Sequence, residues 1–114
     1  VNMIKILVLK DKQNIITIEA TGHSGYAEFG SDIVCSAVST LTQNLILGLE
    51  EVVKIKPNYV INEEIPHLMV SLPNDLTKEQ SKDAQILMQS TYLGLRNLRD
   101  GYKKYISIKE KQHD

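Results

Sequence analysis

Cys35 is the chain's only cysteine, and His23 precedes it by twelve residues. A thiolate is a nucleophile, and a nearby imidazole can take the thiol proton and later return it to a leaving amine. The intervening segment runs from the end of a strand at Thr21, through Gly22, Gly25 and Gly30, into an apolar helical stripe. Ser31 and Asp32 are both good helix N-caps. With Asp32 as the cap, Cys35 becomes the third helical residue. The first helical turn carries unpaired N–H groups and about half a positive charge. A thiolate there is favoured, which lowers the thiol pKa from its free value of about 8.5. The same N–H groups could serve as an oxyanion hole. Three glycines open the loop to backbone shapes closed to other residues, as a flap closing over an extended peptide needs.

Each feature has a plainer reading. Cys35 neighbours Ile33 and Val34 and could be a packed core residue. His23 could simply sit on a surface loop, and the glycines could be a connection. Asp32 could orient His23 or only cap the helix. Ser39 lies one turn after Cys35 on the same face and either lines the site or packs. The glycines do not form a dinucleotide fingerprint, though a phosphate at the helix start stays open. His23, Glu28 and Cys35 match no usual zinc spacing, so neither metal nor cofactor is expected. His67, in a strand, and His113, in the tail, look unremarkable.

The elements that must position these groups follow from periodicity. Met3–Leu9 and Ile15–Thr21 read as a strand hairpin, the second with Ile16, Ile18 and Ala20 on one face. Gly22–Ser31 reads as a loop and Asp32 to about Val53 as a long helix. Pro57 opens a strand at Asn58–Asn62, and His67–Leu72 forms another. Thr77 with Gln80 resembles a capping box at the head of a second helix, striped by Ala84, Leu87, Met88, Thr91, Leu95, Leu98 and Tyr102 and ending near Gly101. Tyr105–Ile108 is a last short strand, and 109–114 a frayed polar tail. The order β-β-α-β-β-α-β implies an α/β (α+β) fold in two layers, a mixed five-stranded sheet with two long helices on one face. The other sheet face would need cover or a partner.

The 114 residues suffice for a single domain, spanning 1–114. Val1 and Asn2, ahead of Met3, read as a cloning remnant or a variant start. Thirteen basic residues against fourteen acidic ones give a net charge of −1, which argues against strong nucleic-acid binding. No uninterrupted apolar run is long enough to cross a membrane. A lone cysteine forms no internal disulfide, which suits a cytoplasmic protein.

The segment Gly22-His23-Ser24-Gly25-Tyr26-Ala27, then Gly30, then Asp32-Ile33-Val34-Cys35-Ser36-Ala37-Val38-Ser39, closely resembles the ribosomal-processing cysteine protease family, Prp. Ser24 and Ser36 each stand where the family pattern has alanine, and neither change touches a reacting group. The resemblance implies a homodimeric Firmicutes endopeptidase with Cys35 and His23 as catalytic residues. It implies removal of the N-terminal extension of large-subunit ribosomal protein twenty-seven, cut after paired aromatic residues. A substrate-ordered loop would then comprise Gly22, Ser24, Gly25, Tyr26, Phe29 and Gly30, with apolar pockets near Tyr26, Phe29 and Met69. Competing readings are a non-enzymatic ribosome-assembly adaptor, an RNA-binding assembly factor and a phosphate-ligand module.

Overall fold

The computed structural model describes residues 3–22, 29–64 and 66–113. Strands β1 (Ile4–Asp11) and β2 (Asn14–Thr21) form the expected antiparallel hairpin. Helix α1 (Phe29–Gly48) runs into a π-helical turn at Leu49–Val53, closed by Lys54 in the left-handed region. Strands β3 (Asn58–Asn62) and β4 (His67–Ser71) follow, then α2 (Lys78–Gly101) and β5 (Ile106–Gln112). The sheet order is β3-β4-β2-β1-β5, with β1 and β5 parallel and all other neighbours antiparallel. This is the α+β arrangement anticipated from the element order.

The core lies between the sheet and both helices. Ile4, Ile6 and Val8 of β1, Ile18 and Ala20 of β2, Val70 of β4 and Ile106 of β5 are buried against Val34, Val38, Leu45, Ile46 and Leu49, and against Ala84, Met88, Tyr92 and Leu95. Fully burying one such large aliphatic side chain is worth about 1.5–3 kcal/mol. Glycines let the helices approach: a Cβ on Gly94 would lie 3.3 Å from Leu41 Cδ2, and one on Gly48 would lie 3.0 Å from Leu87 Cδ1. The α2 capping box forms as read, with Thr77 Oγ1 accepting from Gln80 N–H and Gln80 Oε1 accepting from Thr77 N–H.

Three sequence expectations are corrected. The first helix begins at Phe29, not Asp32, so Phe29, Gly30 and Ser31 belong to the helix rather than the loop, and Asp32 is not its cap. Gly30 is a poor helix former and Ser31-Asp32 a strong local start signal, which is why the sequence points later. Secondly, Ile15 rather than Ile16 joins Ile18 on the core face. Leu9 pairs with Thr17 and Lys10 with Ile15, so Ile16 is the extra residue of a bulge that resets the alternation. Thirdly, Lys109–Gln112 is not frayed but pairs with Leu7–Lys10. Strand pairing uses backbone groups, so an exposed edge tolerates polar side chains. By average hydropathy and length alone Ile33–Val53 could cross a bilayer. Its Val34, Val38, Leu45, Ile46 and Leu49 are instead buried in the core.

Candidate active site

The N-terminal half of α1 lies over one end of the sheet. There the start of β1, the end of β2, the start of β4 and the end of β3 come together with α1 around a cavity of about 260 Å³. Ile4, Ala20, Ile61, Leu68 and Val38 give it apolar walls, and Cys35, Ser39 and Gln43 run along its helical side. These three fall at i, i+4 and i+8, so one helix face carries them all. Gln43 Nε2 donates to Ser39 Oγ at 2.7 Å.

Cys35 is half-buried. It packs against the core cluster and also lines the cavity. It is the seventh residue of α1, not the third. The unpaired N–H groups of the helix start therefore belong to the turn before it, and the dipole, which acts within the first turn, reaches it less than the sequence suggests. His23, Ser24, Gly25 and Tyr26 lie outside the described residues. Of the expected loop, Gly22 is placed on the cavity wall. Its φ of +80° and the 2.9 Å that would separate a Cβ from Met3 O make it a position only glycine fits without strain. Its N–H donates to Pro66 O at 3.2 Å, tying the end of β2 to the turn before β4.

Met69, expected near a substrate pocket, does not line the cavity. It alternates with Leu68 and Val70, whose side of the sheet faces the helices, and so lies on the other face. His67 has more to it than its sequence context suggests: it borders the cavity from the first position of β4, and its Nε2 lies 2.6 Å from Glu19 Oε2. Glu19 alternates with the buried Ile18 and Ala20, so this pairing directs the imidazole to the sheet face away from Cys35. Sequence reading missed Gln43, Ile61, Asn62 and Glu63 as cavity residues. The i, i+4, i+8 spacing from Cys35 could have flagged Gln43, but nothing local marks the β3–β4 turn. Among the described residues no group of three or more potential metal ligands occurs.

A half-buried thiol on the wall of a mostly apolar cavity can act as a nucleophile toward a group held there. Comparison with known proteins agrees. The family described as cysteine protease Prp matches residues 3–107, and the chain belongs to that family. The ribosomal processing cysteine protease Prp of Bacillus subtilis is 25% identical over 96 residues, covering 84% of this chain and 86% of that protein. A crystal structure from Streptococcus mutans superposes with a TM-score of 0.86 at 29% identity, over 97% of this chain and 96% of that one. The essential ribosomal processing protease Prp from S. aureus, in complex with a substrate peptide, gives 0.82 at 18% identity, over 96% of this chain and all of that one, a likeness of fold.

Proposed function

We propose that this chain is a cytoplasmic endopeptidase of a Firmicutes bacterium, acting as a homodimer on the N-terminal extension of large-subunit ribosomal protein twenty-seven and cutting after paired aromatic residues. The observation that carries the reading is Cys35 on the wall of a cavity large and apolar enough to admit an aromatic side chain. The family likeness supports the rest: the B. subtilis relative is a ribosomal processing protease, and the S. aureus one has been captured with a substrate peptide and with a covalently linked product peptide.

In this reading the Cys35 thiolate attacks the scissile carbonyl and the C–N bond breaks. His23, as imidazolium, gives its proton to the departing amine. Water, deprotonated by His23, then hydrolyses the thioester and releases the thiol. Asp32 and Ser39 support the pair, and Gly22, Ser24, Gly25 and Tyr26 contact the peptide. No cofactor or metal enters the scheme.

The test is incubation of a peptide spanning the cut site with wild type and with Cys35→Ala, read by mass spectrometry. Cleavage by wild type at many turnovers per chain, and none by the variant, is expected. Cutting by Cys35→Ala would defeat the mechanism, and stoichiometric binding without turnover would favour the adaptor. For the base, His23→Ala should slow acylation. An alkylation rate at Cys35 with the same pH dependence in both proteins would count against the pair.

A further inference from the structure

The two edges of the sheet are built differently. On the outer edge at β5, Lys109, Glu110 and Lys111 follow one another, the charged composition that keeps an edge strand from pairing with another chain. On the other side β3 reads Asn58-Tyr59-Val60-Ile61-Asn62, with no charge, no proline and no bulge. Its only strand neighbour among the described residues is β4. Tyr59, Val60 and Ile61 are exposed at 47, 37 and 42%, and all three are residue types that suit pairing. An edge left in this state invites a further strand.

The same strand leads into the site. Ile61 and Asn62 end β3 and also line the Cys35 cavity, with Glu63 next to them. A peptide lying along β3 would thus be delivered at one end to the mouth that holds the thiol. We propose that the edge of β3 binds substrate by strand addition. On this view the extended stretch upstream of the cut becomes a sixth strand, and its two residues nearest the scissile bond leave the edge to enter the cavity. Backbone hydrogen bonds would supply much of the affinity with little regard to sequence, and side chains on one side of the added strand would meet Tyr59 and Ile61. The proposal rests on the protease reading and deepens it.

The test uses the native protein and a set of cut-site peptides, each N-methylated at one backbone amide upstream of the two residues next to the cut. An added strand points alternate amides at β3, so KM should rise by about tenfold at every second position and little between, one lost hydrogen bond at a time. A flat profile on a peptide that is still cut overturns strand addition alone, whereas failure to cut the unmodified peptide overturns it together with the protease reading. Hydrogen exchange supplies the second measurement. Amides of β3 should gain protection when Cys35→Ala binds the unmodified peptide. Protection that instead appears on raising protein concentration without peptide assigns the edge to a second copy of the chain and overturns the proposal.

Discussion

Gln43 holds Ser39 one helical turn away, its Nε2 donating to Ser39 Oγ at 2.7 Å on the cavity face that Cys35 begins. The hydroxyl that shares the cavity wall with the thiol is thereby held by a hydrogen bond along the helix face. Ser39→Ala and Gln43→Ala should each lower stability by about 1 kcal/mol. The double variant should lose less than the sum, with a coupling of about 0.5–1.5 kcal/mol in a urea-unfolding cycle. Both single variants should also cut more slowly, Ser39→Ala more so, because it removes the group itself. Additive stabilities would mean that the contact is incidental.

Tyr92 and Glu110 make the chain's pH-dependent clasp between α2 and β5. Burial, then the hydrogen bond to the Glu110 carboxylate and its charge, push the Tyr92 phenol from 10.0 up to about 12. The Tyr92 hydrogen bond, with Lys10 at 3.3 Å, holds Glu110 below the usual carboxylate range. The raised phenol favours folding fully below pH 10.0, and that contribution disappears as pH climbs to about 12. The lowered carboxyl works at neutral pH, and its contribution disappears on acidification through its folded-state value. Tyr92→Phe should therefore flatten the alkaline limb of stability against pH and remove a late step from a phenolate absorbance titration. Persistence of that late titration in Tyr92→Phe would transfer it to another of the five tyrosines.

Thr42 is 1% exposed in the middle of α1, and its Oγ1 has no hydrogen-bond partner among the described residues. A buried hydroxyl without a partner costs about 1–3 kcal/mol in lost hydration. Thr42→Val keeps the branched shape and removes the polar atom. It should raise stability by about 1 kcal/mol, roughly 4–8 °C in Tm for a domain near this size, in a calorimetric melt. A lower Tm would show that the hydroxyl is satisfied in solution, for instance by a carbonyl of the preceding turn.

How much of this was written in the chain itself can be judged residue by residue. The hairpin, both helices, the Thr77–Gln80 box, the element order and the Gly22–Ser39 motif are local patterns. Hydrophobic period, cap chemistry and reacting side-chain types act within a few residues, so the chain carries them without its fold. The start of α1 at Phe29 overrode the local signal of Asp32, and the bulge at Ile16, set by pairing with β1, reset which isoleucine turns inward. The pairing of Lys109–Gln112 with β1 depends on backbone groups a hundred residues distant, to which side-chain composition is blind. The cavity itself, made where Ile4, Ala20, Ile61 and Leu68 come together beneath Cys35, joins four strand ends that no spacing relates. Which residues surround the thiol, and which sheet edge leads to it, was therefore decided by tertiary packing alone.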